Sequence, residues 1–205
     1  MNIKNSFLLL LVFFTLPITA NANRLNMKEA EIHYNAASEF EYKGDYQSAK
    51  EQYAKALVNA KLGGGEPALI SMLTYNYGRM LGLTCQYEES EKNLLEALNI
   101  EKSVSGSDSG TISMRLFELA RLDHDNNKYE KSIPYFEEGI PIVEKLGIER
   151  SDPIGYSLIL EIYKDSLSQL NQSDKVNQIQ MKIDKLKSDN PGKTPGYEPI
   201  SYKCN

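Results

Sequence analysis

One pattern recurs three times along this chain: a short turn, an aromatic residue, and a small residue three places later. It reads Gly44-Asp45-Tyr46-Gln47-Ser48-Ala49, then Gln86-Tyr87-Glu88-Glu89-Ser90, then Asn127-Lys128-Tyr129-Glu130-Lys131-Ser132. The small residues Ala49, Ser90 and Ser132 stand 41 and 42 residues apart. A fixed period of that size belongs to stacked helical pairs, since a single pair cannot bury its apolar face alone. Behind each turn, apolar residues return at helical spacing: Tyr46, Ala49, Tyr53, Ala56, Leu57; Tyr87, Ser90, Leu94, Ala97, Leu98; Tyr129, Ser132, Phe136, Gly139, Ile140. Ahead of each turn a second helix carries its own apolar face, with Ala36, Ala37 and Phe40, then Tyr77, Gly78 and Leu81, then Leu119 and Ala120. The small members let two helices approach closely.

With these residues the chain resembles the tetratricopeptide repeat family. The match is carried by Ala37, Phe40, Gly44, Tyr46, Ala49, Tyr53 and Ala56 in the first unit, and by Asn76, Tyr77, Gly78, Tyr87, Leu94, Ala97 and Leu98 in the second. Ala120, Tyr129, Phe136 and Ile140 carry it in the third, where Ser132 and Gly139 replace the usual alanines. The usual unit has about 34 residues; this longer one is similar to the subtype of kinesin light chains and many bacterial repeat proteins. The surplus lengthens the second helix, which ends near Gly64, Gly106 and Gly147. The resemblance implies an all-α fold, a right-handed α-α superhelix of three clear helix pairs, with repeats near 30–63, 71–104 and 113–147. A degenerate capping pair over 154–188 follows, marked by Ile159, Tyr163, Leu167 and Leu170, then Val176, Ile179, Ile183 and Leu186.

The two ends of the chain differ from the repeats. Lys4, the apolar run Phe7 to Leu16, Pro17 and Ala20-Asn21-Ala22 have the form of a signal peptide spanning residues 1–22, with cleavage after Ala22. The run is shorter than the roughly 20 residues of a spanning helix, so the mature chain, 23–205, is expected to be periplasmic or secreted, without membrane insertion. From Ser188 the composition turns to Asp189-Asn190-Pro191-Gly192-Lys193-Thr194-Pro195-Gly196, which cannot continue a helix. Residues 189–205 therefore read as a flexible tail, free or draped over the last pair.

Composition narrows the chemistry. With 28 acidic and 23 basic residues the chain is a poor match for nucleic acid or an anionic membrane. Two His residues, His33 and His124, and two Cys residues provide no catalytic set, no metal-ligand spacing and no cofactor motif. Asp123-His124-Asp125-Asn126-Asn127 begins like a calcium loop, but Lys128 stands where the turn glycine belongs and Pro134 where the bidentate glutamate belongs. Cys85 and Cys204 could pair in an oxidising compartment; the alternatives are a half-buried small hydrophobe and a free tail thiol.

Binding is expected on the concave face, which the resemblance assigns to the first helices. The candidates there are Tyr34, Asn35 and Ser38, then Tyr75, Asn76 and Arg79, then Phe117, Glu118 and Arg121. An aromatic in every unit and two arginines are residue types that dominate interface energies; the other reading of the aromatics is packing between neighbouring units. A clamp for a peptide's terminal carboxylate, which some members build from Lys and Asn, is matched only at Asn76. The expected role is an adaptor for another protein or peptide, with a small-ligand or glycan module as the alternative. Polar ends at Asn26–Glu31 and Lys182–Lys187 favour a monomer.

Overall fold

A computed structural model describes residues 4–106, 109–196 and 198–204, with side-chain surroundings from Ala20 onward. The apolar run of the expected signal segment, Asp108 and Tyr197 therefore fall outside what is described at side-chain level. Among the described residues the elements are α1 (Lys4–Tyr42), α2 (Tyr46–Leu62), α3 (Pro67–Leu83), α4 (Tyr87–Ser105), α5 (Gly110–Asp125), α6 (Tyr129–Leu146), the single turn α7 (Ile148–Ser151), α8 (Pro153–Gln169) and α9 (Ser173–Ser188), with no strand. Among the residues described at side-chain level, from Ala20 onward, no helix is long and apolar enough to cross a membrane.

Every pair turns by the same device. Between α1 and α2 Gly44 takes a left-handed backbone at φ 75, and the amide of Asp45 donates to the carbonyl of Phe40 at 2.9 Å. Cys85, Asn127 and Asn171 occupy the same place in the other three turns, at φ 65, 58 and 57. There Gln86, Lys128 and Gln172 donate to Leu81, Asp123 and Leu167. This is the closing bond of a Schellman turn, and its fourth appearance makes the C-terminal pair a genuine unit although its turn lacks the aromatic. Gly and Asn tolerate that backbone readily, whereas cysteine does not.

The small residues do what their spacing predicts. Ala37, Ala49, Ala56, Ala97, Ser90 and Ser132 are wholly buried, and the Ser90 hydroxyl donates to the carbonyl of Gly78 at 2.7 Å, tying α4 to α3. Large side chains fill what remains. Phe136 is fully buried with its ring 6.0 Å from Phe117 and 5.2 Å from Tyr163, joining the third unit to the fourth.

The two layers of the stack are joined differently. In the first-helix layer α3 touches α5 and α5 touches α8 directly. The second helices are bridged by long side chains, Lys61–Glu96 at 3.3 Å, Lys102–Glu138 at 2.6 Å and Lys175–Glu137 at 2.6 Å. Closer approach on one side than on the other bends the array, with α1, α3, α5 and α8 on the inside.

The C-terminal tail departs from the flexible segment expected. It folds back across the inner face from the start of α8 towards the turn between α3 and α4, and Tyr202 is only 2 % exposed. Among the contacts that hold it are the Gly196 amide on Asp152 at 3.1 Å, the Tyr202 amide on Asp125 at 2.6 Å, and a disulfide between Cys204 and Cys85, whose Cα atoms lie 6.1 Å apart.

Candidate functional site

The inner face divides into three regions. Over α1 and α3 lies an open trough of about 570 Å³ lined by Met27, Tyr34, Asn35, Leu69 and Met72, among others. Over α3 and α5 the tail fills the groove. Between α5, α6 and α8 an apolar cavity of about 210 Å³ remains, lined chiefly by Met114, Phe117, Val143, Ile148, Tyr156 and Ile159.

The filled region is built around Glu118, on α5, which is 2 % exposed. Its carboxylate accepts from the Tyr75 phenol at 3.1 Å, from the Arg121 guanidinium and from the Tyr202 phenol. Arg79 reaches it at 3.5 Å and also pairs with Glu41 at 2.7 Å, and Glu41 in turn accepts from Tyr53 at 2.7 Å. One polar chain thus runs through the first three units and ends on the tail's tyrosine. Burial alone would push the Glu118 carboxyl up; the charges of Arg121 and Arg79, with hydrogen bonds from Tyr202 and Tyr75, more than offset this and hold it below the ordinary glutamate value. Burial, and the neighbouring Glu118, drive the Tyr202 phenol far above its ordinary value, so it stays a donor.

The wall behind the Tyr202 ring requires glycine. A Cβ placed on Gly82 would stand 2.6 Å from the ring, inside van der Waals contact. The Arg121 guanidinium lies over the ring, 5.4 Å from its centroid. The backbone around Tyr202 is held as well. The Tyr87 phenol donates to the Tyr202 carbonyl at 2.7 Å and accepts from the Cys204 amide at 3.2 Å, while Asp125 also accepts from the Ser201 hydroxyl at 3.0 Å. His124 places its two ring nitrogens 2.9 Å from Asp125 and 2.8 Å from Asp165, fixing the first of these carboxylates against α8.

The nine residues expected to line a free groove therefore divide. Tyr34 and Asn35 line the open trough, and Ser38 lies beside it, its hydroxyl 3.4 Å from the Tyr53 phenol. Asn76 is half-buried. Tyr75, Phe117, Glu118 and Arg121 are 8, 5, 2 and 4 % exposed, and of these Phe117 lines the apolar cavity. For Phe117 the cause is packing between units. For Tyr75, Arg79, Glu118 and Arg121 it is the charge network that receives the tail. The residues missed by sequence reasoning are Glu41, Gly82, Tyr87, Asp125 and Tyr202 itself. One signal was present: Cys85 sits in a turn slot that the other units fill with Gly44, Asn127 and Asn171.

Among the described residues no group of three or more His, Cys, Asp or Glu could hold a metal ion. Asp123, on α5, is buried, and among the described residues neither of its carboxylate oxygens has a hydrogen-bond partner. Burial, and the charge of Glu91 beside it, raise its carboxyl to about 6.

Residues 69–145 match the family model described as tetratricopeptide repeat. Among solved structures, BtubC (BKLC) from P. vanneervenii superposes with a TM-score of 0.74 at 17 % identity, covering 84 % of this chain and 68 % of that one. A chain from Podosopora anserina described as a kinesin light chain with nearly identical TPR-like repeats superposes with a TM-score of 0.63 at 13 % identity, covering 80 % and 77 %. At such identities the likeness is one of fold. No curated protein matches the sequence.

Proposed function

We propose that this tetratricopeptide-repeat chain, with repeats of the kinesin-light-chain kind, is an exported scaffold of the cell envelope that receives a segment of another protein on its inner face. Its fold is that of protein–protein interaction scaffolds. The observation that carries the reading is the tail: an irregular stretch of polypeptide already lies in the groove, held by a buried tyrosine, by backbone hydrogen bonds and by side-chain acceptors, as a bound peptide would be. The open trough beside it leaves Tyr34 and Asn35 available. Export is supported by the signal-like start and by the disulfide, a bond that persists in oxidising compartments. The chemistry is binding rather than catalysis, and the mature chain acts as a monomer.

A photo-crosslinker at Asn35, in the trough, compared with one at Asn99 on α4, tests this in envelope extract of the source organism with the chain starting at Asn23. A partner crosslinked from Asn35 and not from Asn99 is expected. Crosslinks equal at the two positions, or none from Asn35, would overturn it. The small-ligand reading is favoured by one feature, the apolar cavity around Phe117 and Tyr156. A thermal-shift screen with apolar small molecules that raises Tm for the wild type but not for Ile159→Asp would establish that reading instead.

A further inference from the structure

The bond that fastens the tail and the contact that fills the groove lie in different environments. Cys85 and Cys204 are both exposed, while Tyr202, two residues before Cys204, is buried. A thiol in solution can reach the disulfide without entering the groove. Cys85 also occupies a left-handed turn position at φ 65 that its three counterparts fill with Gly or Asn, so a backbone preference is overridden there to present a sulfur at the mouth of the groove. The receiving pocket is specific in its chemistry. It has a wall that excludes even a methyl group at Gly82, a guanidinium over the ring, and a buried carboxylate at its end that needs a hydroxyl donor. A phenol satisfies Glu118; a phenylalanine ring would fill the same space and leave one of the carboxylate's acceptor sites unused.

We propose that residues 198–204 are the groove's resident ligand, that partner segments enter by the same contact, a tyrosine phenol set against Glu118, and that they do so once a dithiol has reduced the Cys85–Cys204 bond. The inference rests on the scaffold reading above and adds the partner's recognition element and its control. In the release step one thiolate of the dithiol attacks a sulfur of the pair and forms a mixed disulfide, expelling the other cysteine as a thiolate. The second thiolate of the dithiol then closes its own disulfide, so two electrons and two protons pass to Cys85 and Cys204. Once reduced, the tail is no longer fastened but only tethered, through the residues after α9. Its advantage over a free peptide falls to an effective concentration on the order of millimolar, within reach of competition. In the oxidised chain the occupant cannot leave.

The test uses the full mature chain and a fluorescent probe peptide of residues 198–203, Glu-Pro-Ile-Ser-Tyr-Lys, read by anisotropy with the chain oxidised or in dithiothreitol. No binding is expected to the oxidised wild type, measurable binding to the reduced wild type, and binding at least ten-fold tighter than that to Tyr202→Ala/Cys204→Ser, whose own tail cannot compete. A probe with Phe for Tyr should bind the double variant at least ten-fold more weakly. Equal binding to oxidised and reduced wild type would overturn the control while leaving the groove as a receptor. Absence of binding to a double variant that is folded by circular dichroism would overturn the receptor reading itself. If that variant does not fold, amide exchange at Tyr202 in the wild type decides: faster exchange on reduction supports release, and an unchanged rate refutes it.

Discussion

Replacing Cys204 with serine removes a cross-link between residues 119 positions apart, with Tyr202 left in place to show what the bond alone contributes. Closing a loop of that length in the unfolded chain is worth about 4.9 kcal/mol at 25 °C on the chain-entropy model, near the top of the range seen for native disulfides. For a chain of this size each kcal/mol moves Tm by about 2–4 °C, so the loss is about 10–20 °C. The loop runs from the α3–α4 turn to the tail and leaves α1, α2 and α3 outside it. In a stack where each unit contacts only its neighbours, the effect should be confined accordingly. Thermal melts by circular dichroism give the size, and amide exchange gives the location, with protection lost from α4 to α9 and the amides of Ala49 and Ala56 unchanged. Cys85→Ser and the double serine variant should melt with Cys204→Ser, because all three remove the same bond. A shift under 2 °C, or a double variant markedly less stable than either single one, would refute the reasoning.

Three further perturbations follow from the packing and the charge network. Glu118→Gln takes a carboxylate charge from the buried guanidinium of Arg121 and from the half-buried one of Arg79, which keeps Glu41, and should cost about 3–5 kcal/mol by urea denaturation. Since the Glu118 carboxyl is held below its ordinary value in the folded state, its contribution is present above pH 4.5 and fades as pH falls below that; the variant should therefore approach the wild type in acid, and a constant gap would refute it. Asp123→Asn should have the opposite sign, because burial raises this carboxyl from 3.8 to about 6. Ionising it costs nothing below pH 3.8 and its full penalty above pH 6, so the variant should melt higher than wild type at pH 8 and equal to it at pH 3.5; no gain at pH 8 would count against the burial argument. Gly139→Ala places a Cβ 2.6 Å from the ring of Phe117. Overpacking of about 1–3 kcal/mol outweighs the 0.5–1 kcal/mol recovered by replacing a helical glycine, so the urea midpoint should fall, and a rise would show that Phe117 can move aside.

The helical pairs were legible because their signal is local and repeated. Tyr46, Tyr87 and Tyr129 each open a second helix, and Ala49, Ser90 and Ser132 each sit at a helix crossing. The fourth unit was harder to read since its turn, Leu170-Asn171-Gln172, carries only the left-handed asparagine and no aromatic. The expected groove residues stand on α1, α3 and α5, but their availability was not legible. Whether Arg121 and Glu118 face a ligand or each other depends on side chains one turn apart and on Tyr202, 84 residues beyond Glu118. A contact of that span leaves no periodicity, and Tyr202-Lys203-Cys204 belongs to no repeat. Both cysteines were visible and their pairing stayed open, because only the fold brings the α3–α4 turn and the tail together.

Amide hydrogen exchange at Tyr202 in the oxidised chain, starting at Asn23, tests most directly whether the groove is already occupied. If the tail lies on the inner face, this amide, donated to Asp125 at 2.6 Å and covered with the buried ring, exchanges orders of magnitude more slowly than an unstructured reference. Exchange at the unstructured rate, with the disulfide intact, would mean that the tail hangs free and that the groove is not built to hold it.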